Sequence, residues 1–245
     1  MDQAEANASI SLTIEHLQKS FHQGRKKVLT DINLTANGGE CIGILGANGC
    51  GKSTLLSILA GILVPDSGCC QINGNIIIPP AAKKGFHLWQ SKRTSADIGY
   101  VPQECPLIEE LNAMDNLKLW YCDSPLSLSE ELENGLLAML GIPDFLKTKV
   151  KNMSGGMKKR LSIGCALSKK PRILLLDEPG AALDLICKER IEVYLRHYKT
   201  MGNLALLATH EEREINLCDR LYILKEGMLV PLEYDGNIHK LASKL

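Results

Sequence analysis

Residues Gly46-Ala47-Asn48-Gly49-Cys50-Gly51-Lys52-Ser53 fit the pattern G-x-x-x-x-G-K-[ST] without a mismatch. No other stretch limits the possible folds so tightly. The five residues before it, Cys41–Leu45, are short, apolar and partly β-branched, which predicts a buried strand. Residues Lys52–Ala60 predict a helix. In that setting the glycines let the backbone curl so that successive N–H groups converge on phosphate oxygens. The start of the helix adds partial positive charge. Lys52 then reaches the β- and γ-phosphates, and the Ser53 hydroxyl is placed to ligate Mg²⁺. The expected nucleotide contacts run from Gly46 to Thr54. Kinases, GTPases and many ATPases share such a loop, so the rest of the chain has to discriminate.

A second strand supplies the acids. Ile173-Leu174-Leu175-Leu176-Asp177-Glu178 is apolar until its last two positions. Carboxyl ends of parallel strands are where open α/β sheets bind ligands. Asp177 therefore suits Mg²⁺, and Glu178 suits a group that takes a proton from the attacking water or orients it. Strands are also predicted at 11–17, 28–34, 70–72, 76–78, 98–101, 204–209, 220–224 and 228–231. Helices are predicted at 185–198, 211–217 and 237–245, and residues 105–168 read as a helical insert. Residues 79–96, rich in Lys and Pro, read as a loop excursion, and residues 1–8 as a frayed end. The whole reads as an α/β chain with a mostly parallel sheet.

The 245 residues suit one sizeable domain, and 45% hydrophobic residues suffice for its core. Twenty-eight basic and 28 acidic residues cancel, which gives no footing for a nucleic-acid partner. Local basic runs at Lys83–Arg93 and Lys147–Arg172 are expected to be solvated faces. Nine cysteines are scattered with no Cys-x-x-Cys spacing, which argues for reduced thiols and against a zinc clip. The start of the chain carries no signal-peptide pattern and no apolar run is long enough to cross a bilayer, so a cytoplasmic location is expected.

Asn152-Met153-Ser154-Gly155-Gly156-Met157-Lys158-Lys159-Arg160 lies shortly before the second acidic strand. With the phosphate loop, it resembles the nucleotide-binding subunit of ABC transporters, whose signature usually reads Leu-Ser-Gly-Gly-Gln. The resemblance covers residues 10–235. It implies a phosphate-loop NTPase core with an N-terminal antiparallel β subdomain and an inserted helical subdomain. It also implies ATP and Mg²⁺ as ligands, ATP hydrolysis as the activity, and a head-to-tail dimer in which Ser154, Gly155 and Gly156 of one copy touch the γ-phosphate held by the other. The second copy is this same chain or a homologous ATPase subunit.

By the same resemblance Gln103 is the glutamine that senses metal and water. Asp184, in Ala181-Ala182-Leu183-Asp184, lies on the dimer interface. His210 holds the γ-phosphate in line with Glu178, and Phe21 stacks on adenine. A membrane-spanning permease is the implied partner, with this chain peripheral on the cytoplasmic face. Ser-Gly-Gly-Met followed by basic residues resembles exporter subunits. A non-transport ATPase driving a protein assembly is the alternative. Three departures stand out: Met153 and Met157 replace Leu and Gln, Ala181 stands where Ser is common, and Cys50 lies within the loop. Cys50 is read as a small residue that fits, with a thiol able to ionise beside Lys52 as the other reading.

Overall fold

The computed structural model describes residues 10–22, 24–78, 97–181 and 183–236. The expectations for residues 1–8, 79–96 and 237–245, for the Lys83–Arg93 run and for Ala182 lie outside these residues.

Ten strands form one sheet in the order β5-β4-β1-β2-β10-β9-β3-β8-β7-β6. Strands β1 (Ser11–Phe21), β2 (Lys26–Asn37), β4 (Ser67–Ile72) and β5 (Asn75–Ile78) pair antiparallel. At the other end β9 (Arg220–Lys225), β3 (Cys41–Leu45), β8 (Leu204–Ala208), β7 (Ile173–Asp177) and β6 (Ile98–Val101) are parallel neighbours. β10 (Met228–Leu232) joins the two parts, antiparallel to β9 and touching β2 through Met228 and Asp31. The antiparallel N-terminal part and the parallel core were both expected.

The parallel strands are buried on both faces, and their side chains divide with the two-residue period of a strand. Ile173 and Leu175 enter one core with Leu55, Leu56 and Ile58 of α1 (Lys52–Leu59). Leu174 and Leu176 enter a second core with Leu117, Leu137 and Tyr194 from the helices on the other side. Each fully buried leucine contributes about 1.5–3 kcal/mol, so these short strands are fixed in register by their packing.

β1 departs from strict alternation. Continued alternation from Leu12 and Ile14 would turn His16 inward. Register shifts between Ile14 and Leu17 and a left-handed φ of 51° at His16 turn Leu17 inward instead. A β-bulge thus swaps a polar residue for an apolar one on the core face.

Between β6 and β7 the chain forms α2 (Ala113–Tyr121), α3 (Leu128–Glu133), α4 (Leu136–Met139), two 3-10 turns (Ile142–Phe145 and Val150–Asn152) and α5 (Gly155–Ala166). Asn112 and Ser127 cap α2 and α3 by accepting from Asp115 N and Glu130 N. Two later helices follow, α6 (Leu185–Thr200) and the single-turn α7 (Glu212–Ile215), the latter shorter than the 211–217 expected. Among the described residues no helix is long and apolar enough to cross a membrane.

Candidate functional site

The sheet order builds the site. β3, β8, β7 and β6 are parallel neighbours, so their carboxyl ends lie on one edge in the same sequence. β3 runs into the phosphate loop, β8 toward His210, β7 into Asp177 and Glu178, and β6 toward Gln103. Side chains from adjacent strand ends meet. Lys52 Nζ lies 3.0 Å from His210 Nε2, and Gln103 Nε2 donates to Glu178 Oε2 at 3.1 Å.

The loop itself has the backbone the sequence calls for. Gly46 and Gly51 have φ of 149° and 118°. A Cβ on Gly46 would stand 2.6 Å from the Leu224 carbonyl oxygen, so only glycine fits beside β9. Lys52 is buried, and its ammonium also donates to Gly46 O at 2.6 Å and Ala47 O at 3.3 Å. Cys50 packs toward the first core with its Sγ close under Gly46, which agrees with its reading as a small residue that fits.

Asp177 ends β7 almost fully buried. Burial raises its carboxyl pKa, while the Ser53 hydroxyl and the charges of Lys159 and Lys52 favour the carboxylate. Glu178 turns away with a left-handed φ of 48°, and its N–H is held by Ala208 O at 2.8 Å. That conformation costs a non-glycine residue on the order of 1 kcal/mol, and such strain gathers where a side chain has to be aimed. His210 is held below the usual histidine range by burial and by the Lys52 ammonium, with Glu178 opposing. Since Lys52 donates, Nε2 accepts, and the neutral ring carries its proton on Nδ1.

These groups line a cleft of about 630 Å³. Phe21, Asn48, Gly49, Gly51, Lys52, Ser53, Thr54, Gln103, Glu178 and His210 border it, as do His22, Lys26 and Val28, which no sequence motif marked. Phe21 lies at the end of β1 on the cleft wall with Lys19 Nζ 5.5 Å from its ring centre, outside both cores. Gly46, Ala47, Cys50 and Asp177 back the cleft without lining it.

Ser154, Gly155, Gly156 and Asp184 lie outside the cleft. Ser154 caps α5, its Oγ accepting from Met157 N at 3.2 Å, and is exposed to solvent. Met153 is buried, and Met157 packs against the second core. Asp184 caps α6 through Cys187 N at 2.8 Å, so it already has a structural task.

The basic run Lys147–Arg172 corrects one expectation. Lys147, Lys149 and Lys151 are exposed, but Lys159 and Arg160 are buried, because both spend their charges on backbone carbonyls. Sequence reasoning also missed Glu214. It is buried, accepts from the Thr209 hydroxyl and the Gly180 N–H, and its pKa is pushed up to about 7 by burial.

The oxygen donors Ser53, Asp177 and Gln103 suit a hard cation such as Mg²⁺, with the remaining ligands left to phosphate and water. A glycine-lined loop at a helix start, a lysine beneath it and two acids at the end of β7, one strand removed from the loop's own, define a phosphate-loop NTPase. The ABC transporter family pattern matches residues 29–181. The chain is 32% identical over 224 residues to the linearmycin resistance ATP-binding protein of Bacillus subtilis, covering 90% of this chain and 68% of that one. It is 36% identical over 208 residues to the taurine import ATP-binding protein of Pseudomonas aeruginosa, covering 83% and 74%. It is 32% identical to the lantibiotic transport ATP-binding protein of Streptococcus pyogenes, covering 92% of each. An ATP-binding cassette solved as a dimer in a post-hydrolysis state with ADP and Pi superposes with a TM-score of 0.78 at 27% identity, covering 91% of this chain and 98% of that one. The chain belongs to the ABC transporter family, as an ATP-binding subunit that hydrolyses ATP with Mg²⁺.

Proposed function

We propose that the whole chain acts as one ATPase domain, with residues 105–168 as its helical subdomain, and powers export through a separate membrane-spanning permease from the cytoplasmic face. The observation that carries the catalytic part is the row Lys52–His210 and Glu178–Gln103 along one sheet edge.

In this reading the Gly46–Thr54 backbone and Lys52 hold the phosphates, and Phe21 carries the adenine. Ser53, Asp177 and Gln103 hold Mg²⁺, which supplies charge neutralisation on the phosphate oxygens. Glu178 accepts a proton from the attacking water, or orients it, with its carboxylate steered by Gln103. Neutral His210 holds the γ-phosphate by donating its one ring N–H, in the tautomer open to it once the Lys52 ammonium leaves Nε2 for the phosphates. Catalysis is then positioning plus charge stabilisation of the transferring phosphoryl group. Ser154 and Gly155, exposed at the start of α5, with Gly156 buried behind them against Cys187, close the site of a second copy or of a homologous subunit, with Asp184 near the shared face. Helix N-termini are suited to such anion contacts.

The Ser154-Gly155-Gly156-Met157 sequence supports export, as do relatives named for linearmycin resistance and lantibiotic transport. Glu178→Gln is expected to bind MgATP, to dimerise with it, and to release phosphate at least about tenfold more slowly. Near-normal turnover would remove Glu178 from its role. Export predicts that cells lacking the chain retain or become sensitive to a compound. A growth defect cured by excess external nutrient would point to import instead.

A further inference from the structure

Lys159 lies on α5, five residues beyond Ser154, and is only 5% exposed. A lysine on a helix ordinarily lays its stem along the surface and keeps its ammonium in water. Here the ammonium points inward and donates to three backbone carbonyls, Pro102 O at 3.0 Å, Gln103 O at 3.2 Å and Asp177 O at 3.4 Å. The first two belong to the segment that leaves β6 and carries the Gln103 side chain. The third closes β7 one residue before Glu178.

We propose that Lys159 is a positioning residue for hydrolysis: it pins the Gln103 segment to the end of β7 and so sets the contact between Gln103 and Glu178, while tying that pair to the helix that Ser154 begins. The inference rests on the roles given above to Gln103, Glu178 and Ser154.

Three features of the geometry support it. An ammonium has three N–H donors, and all three are used on main-chain oxygens, so the lysine holds backbone and not a single side chain. The carbonyls come from two chain segments that no other side chain of α5 bridges among the described hydrogen bonds, and those segments carry the two halves of the Gln103–Glu178 contact. The bonds are made away from bulk water, where leaving a polar group unpaired is costly, so α5 cannot shift while the Gln103 segment stays behind without losing them. A displacement of Ser154 toward a neighbouring copy's nucleotide is therefore passed along one rigid helix to Gln103. Asp177, Glu178 and Glu214 are the acids that face this ammonium, together with the Cys105 thiol.

The test uses the full-length chain with MgATP. Lys159→Met keeps the stem and removes the donors. It is expected to lower kcat, counted per nucleotide-binding site, by about tenfold while leaving the Kd for MgATP within about twofold. In a Gln103→Ala background the same change should have little further effect on kcat, because Lys159 acts through Gln103. Should Lys159→Met fail to fold, Lys159→Gln, which keeps two donors on a shorter arm, takes its place with an expected loss of about threefold. An unchanged kcat per site, or losses that multiply fully in the double variant, overturns the proposal. If Gln103→Ala alone turns over normally, the underlying site reading fails; if it is slow and the Lys159 variant is not, only the link fails.

Discussion

Glu214 gives the sharpest quantitative expectation. Its carboxyl is buried behind the loop that carries His210, accepting from the Thr209 hydroxyl and the Gly180 N–H. Burial lifts its pKa from an ordinary 4.5 to about 7, against the opposing pull of Thr209, Gly180 and Lys188. Between those pH values the folded chain holds a proton that the unfolded chain has released, so stability falls as pH rises. The protonated acid's advantage is fully present below pH 4.5 and is lost as pH climbs through 7. At about 1.4 kcal/mol per pH unit the gap amounts to about 1 kcal/mol at pH 5 and about 3 kcal/mol at pH 8. Glu214→Gln resembles the protonated acid, because its amide oxygen can still accept from Thr209. The variant should therefore melt within about 3 °C of the native chain at pH 5 and about 6–12 °C above it at pH 8. Calorimetric melts of both chains from pH 5 to pH 8.5, without nucleotide, isolate this one group, since every other titration is common to the pair. A melting difference that stays constant with pH, or that shrinks as pH rises, refutes the reasoning.

Gly46→Ala puts a methyl 2.6 Å from the Leu224 carbonyl at a φ of 149°. It should cost at least about 2 kcal/mol in urea unfolding and abolish MgATP binding, because the loop has to move off β9. Lys52→Met removes a buried ammonium that bonds Gly46 O and His210; calorimetric titration should show MgATP affinity reduced by at least about tenfold, as expected for a lost charge-assisted contact. Arg160→Met removes the donor to Leu140 O at 2.7 Å and the cation 5.0 Å from the Phe145 ring. Urea unfolding should report a loss of about 2–4 kcal/mol, with MgATP affinity within about twofold of the parent chain.

The site was legible where chemistry and local geometry coincide. The phosphate loop needs glycines at fixed spacing, and β7 needs a run of apolar residues ending in acids, so both appear in one linear window. Strand existence was legible for the same reason, since β3, β7 and β8 are buried on both faces and read as unbroken apolar runs. What escaped depends on sheet order. Nothing local says that β8 separates β3 from β7, yet that order is what brings His210 to Lys52 and Gln103 to Glu178. The bulge at His16 escaped because Leu12 and Ile14 set an alternating pattern, and that Leu17 falls out of phase with it by one residue shows only when the positions are counted. Lys159 and Glu214 escaped because each sits in a charged run, and a run shows no sign of which member turns inward.

Those two residues share a logic that a motif cannot carry. Each is a buried titratable group with backbone partners: Lys159 is held by three carbonyls at the ends of β6 and β7, and Glu214 by the Thr209 hydroxyl together with the N–H of Gly180, two residues after Glu178. An apolar residue in either place would fill the volume but leave those backbone groups unpaired, at about 1–3 kcal/mol apiece. The turn after β7 is thus braced from two sides, by a cation from the helix that begins at Ser154 and by an acid from the helix that follows His210. Glu178 sits between the braces with its left-handed φ of 48°. A strained residue keeps its geometry only when its surroundings over-determine it. The braces supply that constraint, and they run to the two segments, α5 and the His210 loop, that would feel a nucleotide arrive. The aim of Glu178 is consequently set by elements outside its own strand.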